Sequence, residues 1–401
     1  MGKQSEGFIA LEHQVSAHNY HPLPVVVHQA KGVWVKDVEG KKYLDMLSAY
    51  SALNQGHLHP TIVKAAKKQL KKLSLTSRAF HNDQMAPFLE KLTTVCGFDK
   101  ALLMNSGAEA IETAIKAARR WGYLSKGVEP DKAEIIVCAQ NFHGRTTTIV
   151  GFSSDEGSRK GYGPFPQGFK TIPYADEEAL QQAITKNTVA FLVEPIQGEA
   201  GVQIPYLGYL KAVSALCKQH NVLLIADEIQ TGLGRTGKLF CYQHEEVTPD
   251  ILVIGKALGG GLYPISGILA NKAIMDIAFE PGSHGSTFGG NPLACAIASA
   301  ALDVILEEGL IKRSEYLGAY FLAQLQKLGV SKVKEVRGKG LLLAIELQES
   351  VGKARQYTEK LLSEGILAKE THQTIIRFAP PLIIRKKEID WAVKRIGKVL
   401  G

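Results

Sequence analysis

Four apolar residues, Ile251, Leu252, Val253 and Ile254, run straight into the glycine-rich turn of ILVIGKALGGGL at residues 251–262. A short, mostly β-branched run of this kind fits a fully buried strand better than an amphipathic helix. The turn then places Lys256 at the strand's end, which in open α/β sheets is where ligands bind. A lysine walled there by apolar residues and glycines is a candidate for a desolvated amine with a lowered pKa, and such an amine condenses with carbonyls. A lone lysine that snorkels to solvent is the commoner fate of the residue type.

A second run decides between these. VLLIADEIQTG at residues 222–232 is an apolar strand pattern that ends in Asp227, 29 residues before Lys256, which leaves room for a loop and a neighbouring strand. Pyridoxal phosphate requires this pairing: a Schiff-base lysine and a carboxylate on its pyridinium nitrogen. Further units repeat the pattern. ALLMNSGAEAIETAIKAARRWGY at 101–123 reads as a strand, a small-residue turn at Asn105, Ser106 and Gly107, and a helix from Ala108; its N-terminus is either a plain cap or a phosphate seat. EIIVCAQNFHGRTTTIVGF at 134–152 ends a strand before Phe142, His143 and Arg145, an aromatic able to stack on a flat ring and a guanidinium able to clamp a carboxylate. AFLVEPIQGEAGV at 190–202 leaves Glu194 and Glu199 beyond another strand. The alternation predicts a mainly parallel sheet covered by helices.

Upstream, residues 1–56 read as short extended segments and turns, with strands within 25–47 broken at Gly32 and Gly40. HNYHPLP (18–24) and SAYSALNQGHLHP (48–60) are irregular loops, and their histidines, His57 and His59 among them, lack the partners of a metal site. GLGRTG at 232–237 matches the dinucleotide fingerprint literally, but KLFCYQHEE after it does not open a helix. From Asn291 a long apolar helix, then alternating helices and short strands, predict a smaller C-terminal lobe. There Arg377 interrupts the apolar strand TIIRFAPPL, and a buried arginine needs an anion: a structural partner or a substrate carboxylate.

Composition excludes several classes. The chain of 401 residues carries a formal charge of +8, but its lysines are scattered except at 65–73, where helical spacing predicts a solvated face and no nucleic-acid reader motif accompanies them. Five widely spaced cysteines form no disulfide or metal framework, and no run reaches the ~20 apolar residues of a membrane span. No targeting pattern stands at the N-terminus, so a cytoplasmic protein is expected.

NSGAEA, EPIQGEAG, ADEIQTGLGRTG, GKALGGG and HGSTFGGNP are specific as a set, and on them the chain resembles the class III, fold-type I pyridoxal-phosphate aminotransferases over essentially its whole length. HNYHPLP, SAYSALNQGH, NFHGRT and IIRFAPPL make it similar, within that family, to the branch acting on ornithine. The resemblance implies a large domain (57–290) with a mainly parallel seven-stranded sheet between helices, a smaller α+β domain (291–401), and an N-terminal segment (1–56) serving the small domain and dimer contacts. It implies that Lys256 carries the cofactor and shuttles a proton, Asp227 keeps the pyridine nitrogen protonated, Phe142 stacks on the ring and Gln230 approaches its phenolic oxygen. Ser106, Gly107 and Ala108 hold the phosphate, and Ser286 and Thr287 reach the phosphate of the other subunit of a homodimer.

For the substrates, L-ornithine and 2-oxoglutarate, the resemblance places Arg145 on ornithine's α-carboxylate, Tyr20 near its α-amino group and Tyr50 in the same pocket. Glu199 masks Arg377 until 2-oxoglutarate needs it. The δ-amino group then passes to the keto acid, giving glutamate and glutamate 5-semialdehyde, which cyclises to pyrroline-5-carboxylate. His143 stands where some relatives carry tryptophan. Alternatives are acetylornithine or 4-aminobutyrate aminotransferase, against which Tyr20 and Tyr50 argue, and a non-catalytic binding protein, against which Lys256 and Asp227 argue. No metal, nucleic acid or membrane is expected.

Overall fold

A computed structural model describes residues 2–401, so Met1 lies outside it. The central seven-stranded sheet has the spatial order Lys100–Met104, Ser266–Ala270, Ile251–Ile254, Leu223–Asp227, Thr188–Val193, Glu134–Cys138, Phe169–Ile172. The last five are mutually parallel, and Ser266–Ala270 runs antiparallel to both its neighbours. Lys100–Met104 therefore points the same way as the parallel strands. The C-terminal ends of six strands share one edge.

Continuous apolar runs arise because both faces are covered. Alternate residues point to opposite sides. Ile136, Phe191, Leu224, Leu252 and Ile254 join one core, while Ile135, Leu192, Ile225, Ile251 and Val253 join the other. The helix Gly107–Trp121 buries Ala110, Ile111, Ala114, Ile115 and Ala118 in the second core, at the spacing of one helical face. Chain order reverses between Glu134–Cys138 and Thr188–Val193, because the strand after the first lies outside it and the strand after the second lies on the other side. Crevices at such switch points hold ligands.

Two four-stranded sheets flank this layer. One orders Val27–Lys31, Trp34–Asp37, Lys42–Asp45 and Ile366–Leu367; the other orders Val333–Lys339, Leu342–Leu347, Ile375–Phe378 and Lys369–Thr371. The first joins the two ends of the chain, through parallel pairing of Ile366 with Leu44.

The expectation of extended segments throughout 1–56 is corrected at its start. Lys3–Val15 is a helix, anchored by Glu39, which accepts from Ser5 N at 2.8 Å and Ser5 Oγ at 2.6 Å. Gly7 and a nearly unburied apolar face, with Phe8, Leu11 and Val15 all exposed, mask its periodicity.

GLGRTG is a structural turn followed by a short 3-10 segment at Cys241–Glu245. Arg235, fully buried, donates from Nη1 to Leu341 O (2.8 Å) and Pro380 O (2.6 Å), and from Nη2 to Asn54 Oδ1 (2.6 Å). One guanidinium thus pins the central layer to both chain ends. Arg235→Leu leaves three dry acceptors without donors and is expected to cost about 3–5 kcal/mol. A large fall in the calorimetric unfolding midpoint checks this; Arg235→Lys, which lacks the planar fork, recovers only part of it.

Ser48–Ser51 is a left-handed turn, with φ of 53°, 47°, 60° and 72° at Ser48, Ala49, Tyr50 and Ser51. For L-residues that conformation costs about 1–2 kcal/mol each. It persists only where the surroundings over-determine it.

Candidate active site

The shared strand edge opens into a cavity of about 190 Å³ lined by Gly107, Ala108, Phe142, His143, Gly144, Glu194, Ile196, Glu199, Asp227, Ile229, Gln230, Thr231 and Lys256. Lys256 follows Gly255 at the end of Ile251–Ile254, with φ of 44°, and lines this cavity. Burial pushes its amine below the ordinary lysine value, against the opposing charges of Glu199 and Asp227.

Asp227 ends the adjacent parallel strand. Its Oδ1 accepts from Ile229 N at 3.0 Å and its Oδ2 lies 2.7 Å from His143 Nδ1. Burial opposes a charge on His143, yet the hydrogen bond and charge of Asp227 raise its pKa. Next to them, Glu194 Oε2 accepts from Phe142 N at 3.1 Å. Burial, with the charge of Asp227, pushes the Glu194 carboxyl up to about 8, so it holds a proton at neutral pH. His143 and Glu194 are site residues that sequence reasoning left without roles. Their only signal is that each directly follows a strand or an assigned aromatic.

At the N-terminus of Gly107–Trp121, Ser106 and Glu109 form a reciprocal capping box. Glu109 N and Ala110 N are bonded to Ser106, which leaves Gly107 and Ala108 N–H without partners among the described residues. Two free amides at a helix N-terminus make an anion seat.

On the other wall, Glu199 Oε1 lies 2.7 Å from Arg377 Nη1 and accepts from Gln230 Nε2 at 3.0 Å. Burial alone would raise the Glu199 carboxyl, but Arg377 and Lys256 hold it down at about 2. Arg377 is 1% exposed, donates also to Gly198 O, and carries the Tyr50 ring 5.3 Å from its guanidinium carbon. Burial and Glu199 raise the Tyr50 phenol. Gln230 has its donor turned to Glu199, and its Oε1 packs so closely on Gly198 that a Cβ there would lie 1.5 Å away. Arg145 lines the neighbouring cavity, which shares Phe142, His143, Gly144 and Glu199 with the first; it lies over the Phe142 ring at 5.2 Å and has no carboxylate partner among the described residues.

The structure therefore gathers Gly107, Ala108, Phe142, Glu199, Asp227, Gln230 and Lys256 in one cavity, with Tyr50, Arg145 and Arg377 beside it. Tyr20 is 71% exposed, though near enough to contribute to the raised pKa of the Tyr50 phenol. Ser286 and Thr287 do not line the cavity; Ser286 Oγ accepts from Asn105 Nδ2 at 2.7 Å, and Thr287 is exposed. His57 pairs with Asp45 and His59 with Glu308; no cluster of three or more metal-type ligands occurs among the described residues. All five cysteines are free and buried, and no described helix is long and apolar enough to cross a membrane.

The arrangement offers a desolvated amine with a lowered pKa, a buried carboxylate, a flat aromatic and an anion seat. Comparison with known proteins gives a consistent answer. The model of the family described as aminotransferase class-III matches residues 15–400. An ornithine aminotransferase of a Geobacillus species is 59% identical over 401 residues, covering all of both chains. Among solved structures, an ornithine aminotransferase from Toxoplasma gondii, described as having partial occupancy of PLP at its active site, aligns with a TM-score of 0.97 at 46% identity, covering 99% of this chain and 94% of that one. An acetylornithine aminotransferase from Elizabethkingia anophelis aligns at 0.89 and 51% identity, covering 99% and 98%. With its signature residues converging at one strand edge and a family match across almost its whole length, the chain belongs to the class III aminotransferases.

Proposed function

We infer that the chain transfers the δ-amino group of L-ornithine to 2-oxoglutarate, using pyridoxal phosphate. The observation that carries this is a pair of arginines in opposite states at one pocket: Arg377 buried and neutralised by Glu199, and Arg145 without a carboxylate partner among the described residues. One half-reaction brings a single carboxylate and the other brings two, so one cationic site must be closable.

The residues fit the cofactor. The two free amides at Gly107 and Ala108 suit a phosphate, Phe142 suits a ring face, and Asp227 supplies the anion a protonated pyridine needs. Bound there, the cofactor supplies an electrophilic carbonyl and an electron-withdrawing ring. Lys256 Nζ, whose pKa burial lowers, takes the proton from the donor's δ-carbon and returns one to the keto acid's carbon. Asp227 is held in orientation between Ile229 N and His143. Arg145 holds ornithine's α-carboxylate while Glu199 keeps Arg377 from competing; 2-oxoglutarate then binds through both arginines.

Likeness favours this branch: curated ornithine aminotransferases match at 58–60% identity along almost the whole chain, against 51% for the acetylornithine aminotransferase structure. Tyr20 and Tyr50 favour ornithine, because a free α-amino group needs polar partners that an acylated one does not. We further propose a homodimer in which Ser286 and Thr287 serve the partner's cofactor phosphate, with 57–290 as the cofactor domain and 291–401 as the smaller one. Exposed Thr287, Phe288 and the apolar face of Lys3–Val15 support it.

The test adds amino donors singly to holoenzyme without keto acid and follows the cofactor's absorbance. L-Ornithine is expected to react fastest, with pyrroline-5-carboxylate trapped as product. Faster reaction with N-acetylornithine or 4-aminobutyrate overturns the substrate assignment and withdraws the roles of Tyr20 and Tyr50.

A further inference from the structure

Apart from Tyr50, the SAYSALNQGHLHP stretch has no part in the chemistry above. It nevertheless contains the only run of consecutive non-glycine residues at positive φ among the described residues, Ser48–Ser51. Nothing in the turn's own side chains explains that geometry: Ser48 Oγ and Ser51 Oγ are buried without hydrogen-bond partners, and Ala49 is exposed. The constraint comes from both flanks. On the entry side, Asp45 Oδ1 accepts from Leu47 N at 2.9 Å and Ser48 N at 2.8 Å, while Asp45 Oδ2 lies 2.7 Å from His57 Nε2. His57 is itself fixed by a two-way backbone bridge to Gly32. On the exit side, Asn54 Nδ2 donates to Leu233 O, and Gln55 Nε2 donates to Ala257 O at 2.9 Å, one residue beyond Lys256.

We propose that Asp45 and His57 are positioning residues for substrate choice: their hydrogen bond locks the left-handed turn, holds Tyr50 against Arg377, and so sets the preference among amino donors. The proposal rests on the reading that Tyr50 and Arg377 face the substrate. The reasoning is geometric. A left-handed turn of L-residues relaxes to right-handed or extended backbone once released. Relaxation redirects the Cα–Cβ bond of Tyr50 and takes its ring off the guanidinium. Arg377 keeps Glu199, and Lys256 keeps its strand, so donor selectivity changes while proton transfer at Lys256 does not.

The experiment measures kcat/KM of the first half-reaction for L-ornithine, N-acetylornithine and 4-aminobutyrate in wild type, His57→Leu, Tyr50→Ala and the double variant. His57→Leu is expected to lower the ornithine to 4-aminobutyrate ratio by about 10-fold. In the Tyr50→Ala background the same change is expected to matter by less than about 2-fold, because the two act through one contact. Adding Ala49→Gly to His57→Leu is expected to recover most of the ratio, since glycine adopts positive φ without strain. A proportional fall for all donors, or an undiminished effect without Tyr50, overturns the proposal. Should His57→Leu fail to fold, Asp45→Asn, which keeps the acceptor for Leu47 and Ser48 but loses the charge opposite His57, is expected to shift the ratio the same way by a smaller factor; no shift overturns it. Wild-type enzyme that prefers another donor overturns the ornithine reading alone, and the brace is then judged on the wild-type to variant ratio for that donor.

Discussion

Lys256→Met is expected to lower turnover by about 10⁴-fold, and at the same time to raise the unfolding midpoint of the cofactor-free protein at pH 7. Both follow from one fact. The amine is buried beneath the strand edge, so its protonated form is disfavoured in the folded state. The unfolded chain binds that proton up to about pH 10.4. Between the lowered folded value and about 10.4 the unfolded state therefore holds more protons, and stability rises with pH. The destabilisation is complete below the folded value and gone above the unfolded one. Methionine, similar in shape and without charge, removes it. Calorimetry of the two apoproteins at pH 7 and near pH 10 is expected to show a gap that favours the variant and closes as pH rises. A variant less stable than wild type at pH 7 would mean that the amine is solvated.

Asp227→Ala is expected to lower the rate of either half-reaction by about 10³-fold, the scale of removing one preorganised electrostatic partner from a dry site. The carboxylate's two oxygens are spoken for by Ile229 N and His143, so it does not turn away from the cavity. The neighbouring acid does not substitute for it, because burial keeps Glu194 protonated up to about pH 8. The loss should fall on kcat with little change in KM, since ornithine's carboxylate is held elsewhere, by Arg145. A cofactor analogue with a permanently charged ring nitrogen is expected to restore part of the rate. Absence of any restoration, together with a raised KM, would assign Asp227 to substrate binding instead.

Much of this site was legible because its chemistry is tied to strand ends. Apolar runs that stop at Asp227 and just before Lys256 disclose their location, since a strand buried on both faces has no other place for a charge. The N-terminal helix was not legible: Phe8, Leu11 and Val15 are exposed in this chain, and only Ser5 is buried. His143 and Glu194 were visible as residue types, but their importance lies in meeting Asp227 across strands far apart in the chain.

Taken alone, the amino-acid sequence determined the layer architecture, the lysine and aspartate pair, the anion seat and the family, because each is written in local periodicity or in a turn a few residues long. Only the tertiary structure decided the state of each group. It closed Arg377 with Glu199, put a proton on Glu194, oriented Asp227 through His143, and wound Ser48–Ser51 against its intrinsic preference. These depend on burial and on partners 12 to 178 positions apart, from Asp45–His57 to Glu199–Arg377, and neither quantity exists until the chain has folded.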